Sequence, residues 1–341
     1  MRSGRSKRLT LLALGLGVVI AALAIGKLVV DGAGETSAGS GETGETFVTV
    51  SRSSNIAVLE LATGRTRLLT HADGRYLSVA SPTWSPSGRR IAFARQTCAH
   101  CPFRIAVASL GSGSIEPSHG WRNNATEPTW SPGGDRLIVA TSEKGDRKLV
   151  LFRLGHGRGR ALAIHADEAD AEGAEEVEAP NHPAFAPDGR TVAFEAEITR
   201  ERTRIFLLDL VSGEVSKIEN EAVGNAYPAF SPTGKRLAFS QSDARFAWDV
   251  CTVRRDGRDQ VCLTRGPAND VEPTWSADGR SIVFSSDRAD PQRLTRSLYA
   301  IRPDGTGLRR LTKGFDDGAP AFSRDGTEVA FVRRQIHRIR R

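Results

Sequence analysis

Several catalytic signatures are missing from this 341-residue sequence. It has no Gly-x-Ser-x-Gly elbow, no His-Glu-x-x-His helix, no phosphate loop, and no dinucleotide fingerprint set between a strand and a helix. That removes the common hydrolase, zinc-protease and nucleotide-dependent classes. Long amphipathic stretches of helical period are also absent from the body of the chain, which excludes a helical solenoid. Positive charge is scarce where a nucleic-acid groove would need it. Of the formal charge of +7, Arg2, Arg5, Lys7 and Arg8 supply four, and Arg333, Arg334, Arg338, Arg340 and Arg341 supply five, so the residues between carry −2. No phosphate-tracking surface is expected, and no nucleic acid partner. Cysteine is limited to four residues.

The ends of the chain are read separately from its body. After the basic residues 1–8 comes an apolar run from Leu9 to Gly26, then Lys27 and Leu28-Val29-Val30. Eighteen apolar residues form a helix of about 27 Å, close to the thickness of a bilayer's hydrocarbon core. Arginines on the amino side hold that end in the cytoplasm. Residues 9–30 are therefore expected to be a transmembrane signal anchor, with a single pass and everything after it extracytoplasmic. A signal peptide cleaved near Ala22-Leu23-Ala24 is the alternative and would make the protein secreted. Residues 31–46 contain only Gly, Ala, Ser, Thr, Glu and Asp. They bury nothing that offsets the entropy of ordering them, so they read as a flexible linker spanning about 20–24 Å. A basic tail, 334–341, is expected at the other end.

Between these ends one pattern recurs six times: Pro, a small residue, an aromatic, Ser or Ala, a turn ending in Gly, then an apolar triplet. The copies start at Pro82, Pro128, Pro183, Pro228, Pro273 and Pro320, which lie 46, 55, 45, 45 and 47 residues apart. The first reads Pro82-Thr83-Trp84-Ser85-Pro86-Ser87-Gly88 with Ile91-Ala92-Phe93, and the last Pro320-Ala321-Phe322-Ser323-Arg324-Asp325-Gly326 with Val329-Ala330-Phe331. Such a period belongs to propeller blades or helical repeats, and units rich in Gly, Pro and β-branched residues choose the blade. Proline lacks an N–H and suits the first residue of an innermost strand with no ladder partner on one side. In the turn, Pro presets φ and Gly accepts the positive φ that other residues resist. Between copies lies a second hairpin beginning at Ile56–Leu59, Ile105–Val107, Leu149–Phe152, Ile205–Leu208, Val250–Val253 and Leu298–Ile301. Several of these units end in Leu-Thr, at Leu69-Thr70, Leu263-Thr264 and Leu311-Thr312.

These elements predict an all-β, six-bladed β-propeller over 47–333. The chain begins on an outer hairpin and ends on an inner one, so the last blade should join residues near 320–333 to residues near 54–70 and leave no free sheet edge. Phe47–Val50 and Ile336–Ile339 offer two further strands, which leaves a seventh, degenerate blade as the alternative count. Across 54–333 the repeats resemble the WD40-like (PD40) repeats of the TolB family, with their Pro-x-Trp-Ser-Pro-Asp-Gly, Ile-Ala-Phe and Leu-Thr elements. The resemblance implies a propeller fold and is far less specific for function. In TolB an additional α/β domain precedes the propeller, in the place where this sequence has its linker.

Up-and-down strands put the Ser-Pro-Asp-Gly and outer Gly turns at one end of the propeller and the variable links at the other, where function is expected. Four features gather at that link face. The first is the acidic stretch Asp167 to Glu178, including Asp167, Glu168 and Asp170, which reads as a solvated insertion, with a basic partner or a loosely held cation as the functional alternative. The second is the residue before each repeat proline: Ser81, Glu127, His182, Tyr227, Glu272 and Ala319. These should approach the channel mouth, and Glu127, His182, Tyr227 and Glu272 are the candidate ligand-binding residues. The third is the set His71, His119, His165 and His182, which lacks the spacing of a zinc site; no metal and no cofactor are expected. The fourth is Cys98-Ala99-His100-Cys101, read as a local disulfide because the βαβ context of a thioredoxin-like centre is absent. Cys251 and Cys262 flank the Asp256-Gly257 turn symmetrically and should bond across their hairpin.

The functional expectation is a non-catalytic, membrane-anchored module that binds an extracytoplasmic protein, peptide or envelope glycan. The alternative is a polysaccharide lyase or hydrolase with its site at the channel mouth. A propeller closes on itself, so a monomer is expected.

Overall fold

The computed structural model describes residues 47–340 apart from 72–77, 99, 118–123, 144, 155–158, 165–176, 200–201, 221, 243–246, 291 and 293–294, and without the side chains of 47–52 and 335–340. The segments read as anchor (9–30) and linker (31–46), the acids Asp167, Glu168 and Asp170, and His119 and His165 lie outside the described residues. Among the described residues every regular element is a β-strand, and no helix is long and apolar enough to cross a membrane.

Six antiparallel four-stranded sheets form the blades. The chain enters through β1 (Phe47–Glu60) and β2 (Thr66–Leu68). Blade 1 follows with β3 (Ser78–Trp84), β4 (Arg90–Gln96), β5 (Arg104–Ser109) and β6 (Ile115–Pro117). Blade 2 holds β7 (Asn124–Trp130), β8 (Arg136–Glu143), β9 (Asp146–Arg153) and β10 (Gly159–Ala161), and blade 3 holds β11 (Glu178–Phe185), β12 (Thr191–Thr199), β13 (Arg202–Asp209) and β14 (Val215–Lys217). Blade 4 is β15 (Gly224–Phe230), β16 (Arg236–Ser242), β17 (Trp248–Arg254) and β18 (Val261–Cys262); blade 5 is β19 (Asp270–Trp275), β20 (Ile282–Ser286), β21 (Ser297–Ile301) and β22 (Arg309–Arg310). Blade 6 joins both ends of the chain: β23 (Asp316–Phe322) and β24 (Glu328–Arg340) pair onward to β1 and β2. The innermost strands β3, β7, β11, β15, β19 and β23 contact one another in a closed ring.

Closure therefore runs as the repeat order implies, with Ile56 opposite Val332 and Ala57 opposite Phe331. No seventh blade forms from Phe47–Val50 and Ile336–Ile339. Those segments are the outer ends of β1 and β24 and pair with each other, Val48 with Ile339 and Val50 with His337, beyond an irregularity at Ser51/Ser54. The stretch read as a basic tail likewise continues β24 through Arg340.

The repeat letters each have a job. The turn Ser accepts the amide N–H five residues on, as from Arg90 to Ser85 Oγ at 3.1 Å and Ser281 to Ser276 Oγ at 2.9 Å. Where blade 3 has Ala186 instead, Asp188 Oδ1 takes the Thr191 N–H at 2.9 Å. The turn Pro packs on the turn Gly of the next blade: Pro86 against Gly134, Pro132 against Gly189, Pro187 against Gly234, and Pro232 against Gly279. Threonine of Leu-Thr accepts an N–H within the third strand of its blade, Ile56 to Thr70 and Val250 to Thr264 at 2.9 Å, and Leu298 to Thr312 at 3.0 Å.

The core is divided into six apolar clusters, each filling the seam between two neighbouring blades. The third residue of the triplet supplies Phe93, Phe194, Phe239, Phe284 and Phe331, all buried. Triplet residues on both faces of a strand are buried, as a sheet wedged between two others requires.

Candidate functional site

The six residues before the repeat prolines share one backbone feature. Ser81, Glu127, His182, Tyr227, Glu272 and Ala319 all have positive φ, between 43° and 60°. None is glycine, and each such residue carries roughly 1–2 kcal/mol of left-handed strain. Here the proline is not the first residue of its strand. It lies within the strand, at a bulge where three residues of the inner strand span two of its neighbour, as Ala80 to Thr83 spans Ala94 to Ala92. Proline has no N–H to give the ladder, and the residue before it is turned out of the strand, so pairing skips both.

The bulge turns an amide toward the neighbouring blade. Four of these N–H groups find a side chain there: His182 N donates to Glu127 Oε2 (2.7 Å), Tyr227 N to Glu195 Oε2 (2.8 Å), Glu272 N to Ser240 Oγ (3.2 Å) and Ala319 N to Glu272 Oε2 (2.7 Å). Each acceptor belongs to the preceding blade. Ring position and side-chain chemistry are thus coupled at these four bulges, where a side chain satisfies the turned-out amide.

His182 is the centre of the arrangement. Its Nε2 lies 3.2 Å from Glu127 Oε1 and its Nδ1 2.8 Å from Glu195 Oε1. The second contact pairs charges without hydrogen-bond geometry, leaving Nδ1 and Oε1 without a hydrogen-bond partner. Burial opposes charge on the imidazole, but Glu127 and Glu195 outweigh it and hold the pKa up at about 9. His182 is accordingly a cation at neutral pH. The Tyr227 ring sits 4.2 Å from it, tilted by 55°. Burial, with Glu272 and Glu195 nearby, pushes the Tyr227 phenol well above its ordinary range, so it stays neutral.

Glu272 accepts from Ser285 Oγ at 2.7 Å as well as from Ala319 N. Its burial favours the neutral acid, yet Arg296 and these hydrogen bonds prevail and its pKa is lowered. Arg296 is raised in turn; burial works against its charge and Glu272 for it. Its backbone is anchored in the link before β21, its N–H donating to Asp316 Oδ1 and its carbonyl accepting from Asp317, each at 3.0 Å.

The four candidate residues Glu127, His182, Tyr227 and Glu272 are therefore on the ring of innermost strands, and they converge through blades 2 to 5. Ser81 and Ala319 complete the ring with small side chains. Two participants escaped the sequence reading, Glu195 and Arg296. Glu195 follows the triplet Val192-Ala193-Phe194, where the other blades have Ala94, Ala140, Ser240, Ser285 and Val332. Being the one charged residue at that repeat position was the signal. Arg296 lies in a link without repeat register and carried none. Of the histidines, His71 is exposed after β2, away from strand pairing. Among the described residues no three His, Cys, Asp or Glu side chains are arranged to hold a metal ion.

Beside Glu195 lies a cavity of about 50 Å³ lined by Arg147, Ala179, Asn181, Glu195, Glu197 and Thr203, among others. It has room for a water molecule or so, and the buried Asn181 Oδ1 has no hydrogen-bond partner. Burial, reinforced by Glu178, raises the Glu197 pKa. A wider depression of about 980 Å³ lies elsewhere, at the turn end between blades 3 and 4, and its charged lining is largely self-paired, as Arg254 with Asp256 at 3.1 Å. Both disulfides are formed, Cys98–Cys101 in the link of blade 1 and Cys251–Cys262 across β17 and β18.

Residues 173–340 match the family described as the TolB beta propeller domain. The chain has a TolB-like β-propeller fold. Among curated relatives, the Tol-Pal system protein TolB of Nitratidesulfovibrio vulgaris is 38% identical over 73 residues, covering 20% of this chain and 16% of that protein. The chain covers half or less of the length of the curated relatives it matches. Among solved structures, a putative TolB from Agrobacterium tumefaciens superposes with a TM-score of 0.69 at 21% identity, over 83% of this chain and 98% of that one. An oligogalacturonate lyase in complex with manganese reaches 0.51 at 16% identity, over 83% and 76%. At these identities the structural likeness concerns the fold alone.

Proposed function

We propose that this TolB-like propeller is a non-catalytic binding module, held at the extracytoplasmic face of a membrane by its N-terminal apolar segment, that takes an envelope protein or peptide on its link face. An envelope glycan is the other ligand the reading admits. The observation that carries it is the commitment of the ring's charged groups to the neighbouring blades. Glu127, Glu195 and Glu272 are occupied by bulge amides and by His182 or Ser285. They hold a rigid frame that presents the links, and that is what a recognition surface needs. One relative is named as a protein of the Tol-Pal system, which is consistent with a protein ligand.

Crosslinking in native membranes tests this. The intact protein is compared with variants whose links at 167–178 and 287–296 are replaced by short Gly-Ser turns. A captured partner lost on link replacement supports the reading, and a partner retained by both variants sinks it.

The convergence of Glu127, His182, Tyr227 and Glu272 is the one observation that favours a lyase or hydrolase. A general base should titrate near the operating pH. His182, held at about 9, is already protonated there, and Tyr227 is further still from ionising. Polysaccharide turnover abolished by His182→Gln would establish the enzyme reading instead; no such turnover is expected.

A further inference from the structure

The two disulfides differ in exposure: each has one half-buried cysteine, Cys101 and Cys262, but the other is exposed at Cys98 and buried at Cys251. Cys251 is fully buried in the cluster between blades 3 and 4 and faces Cys262 across paired strands. Cys98 is exposed and Cys101 half-buried, in the link from β4 to β5. The sequence separation is 3 in this pair and 11 in the other. A ring that short removes little conformational freedom from the unfolded chain, so its contribution to stability is the smaller of the two.

Nor does the fold call for a crosslink at this place. The equivalent link of blade 2 joins β8 to β9 within two residues, and that of blade 3 joins β12 to β13 equally briefly. Blade 5 closes a long link, 287–296, with side-chain hydrogen bonds instead: Thr295 N–H and Oγ1 donate to Asp290 Oδ2 at 2.9 and 2.7 Å. In blade 1 the turn is already closed by Cys101 N–H to the Cys98 carbonyl at 3.1 Å and by Gln96 Nε2 to the Cys101 carbonyl at 2.7 Å. Those bonds hold the backbone of the two sulfur-bearing residues in addition to the S–S bond. His100, exposed, lies between them in sequence.

We infer that Cys98–Cys101 is a thiol–disulfide exchange site that accepts two electrons from a dithiol protein or a small thiol. The donor's thiolate attacks the accessible Cys98 Sγ. A new S–S bond forms between donor and Cys98 while the Cys98–Cys101 bond breaks, and its electron pair leaves on Cys101 Sγ, which takes up a proton. The donor's second thiolate then attacks its own sulfur in the mixed disulfide and releases Cys98 as the thiolate. The donor ends as a disulfide and the propeller as a dithiol pre-organised to close again. A second equivalent of small thiol performs the same release in place of the intramolecular one. Attack is governed by access to the sulfur, and the Cys251–Cys262 bond, with Cys251 fully buried and Cys262 half-buried, serves as the less accessible internal reference.

The test uses the full-length folded protein with dithiothreitol, timed alkylation and mass analysis of each cysteine pair. Cys98–Cys101 should open at least about 50-fold faster than Cys251–Cys262, with the β-sheet circular dichroism unchanged. Cys101→Ser exposed to glutathione disulfide should accumulate glutathione on Cys98. Equal opening rates of the two pairs overturn the inference, as does opening of Cys98–Cys101 only in denaturant. A folded Cys101→Ser protein that stays unmodified overturns it as well. The rate comparison is made on the unaltered protein, so it decides the matter even if the variant fails to fold.

Discussion

Two halves of the propeller are held together differently. From blade 2 round to blade 6, each seam carries a side chain of one blade that accepts the bulge amide of the next: Glu127, Glu195, Ser240 and Glu272. At the seams flanking blade 1 the corresponding positions hold Ser81 and Ala94 in blade 1 and Ala319 and Val332 in blade 6. There, indole N–H groups cross instead, Trp84 to the Ala321 carbonyl at 3.1 Å and Trp130 to the Thr83 carbonyl at 3.2 Å. The turn collar changes in step. Blade 6 has Arg324 where blades 1 to 4 have the packing proline, and Gly88, which would receive it, has nothing within 4 Å of its Cβ position. Arg324 reaches the Pro86 carbonyl at 3.0 Å in its place. An ionic seam fixes its neighbours through a few costly, charge-dependent contacts; the closing seams beside blade 1 rely on apolar packing and the two indole hydrogen bonds.

That contrast can be broken by mutation. The largest effect is expected at the shared component, the apolar seam. Phe331→Ala removes a fully buried ring between blades 5 and 6 and should cost about 3–5 kcal/mol in urea unfolding. Phe93→Ala between blades 6 and 1 should cost as much, since packing serves both regions alike. Next comes charge. His182 has a folded pKa of about 9 against 6.5 when unfolded, so its stabilisation is fully present below pH 6.5 and drains as the pH rises through 9. The shift corresponds to at most about 3 kcal/mol. Unfolding free energy measured from pH 6 to 10 should fall in the native protein and stay nearly flat in His182→Gln. A native profile without that fall would remove the ionic seam from the account.

A smaller effect is expected from Glu195→Gln. With one carboxylate gone, an NMR titration should find the His182 pKa lowered toward 6.5. At the closing seam, Trp84→Phe keeps the ring and loses one hydrogen bond, about 1 kcal/mol with no pH dependence between 6 and 10. Arg324→Ala should change stability by less than about 0.5 kcal/mol, because its contact is exposed. If Arg324→Ala proved as costly as Phe331→Ala, the division into ionic and apolar seams would be wrong.

Much of this was legible in the residues. The Pro spacing declared six blades, and the order of hairpins declared a last blade built from both termini. The Asp256-Gly257 symmetry paired Cys251 with Cys262. The residues before the prolines were picked out as channel residues because they recur at one repeat position; of these Glu127, His182 and Tyr227 are in mutual contact through His182, and Glu272 acts on the last two through its charge. What escaped was what period alone does not carry. Proline at 82 was read as opening a strand, whereas it sits within one at a bulge, since only the ladder to β4 reveals the extra residue. Glu195 was passed over as one more strand residue. Arg296 reaches Glu272 from a link outside the repeat, and no spacing in the chain points to it. Val48 and Ile339, read as offering a further blade, lengthen existing strands because each is the other's nearest partner once the ends meet.

The sequence by itself determined the element type, six repeat blades and the closure, because those follow from local turn chemistry and a repeated alternation of apolar residues that every copy restates, while the structure excluded a seventh blade by pairing the two terminal strands. The tertiary structure alone decided that His182 is a cation, that Glu127 and Glu195 share it, and that Glu272 is held ionised beside Arg296. Those properties depend on burial and on charges brought together from different blades, and neither distance nor dielectric environment is written in the order of residues along one chain.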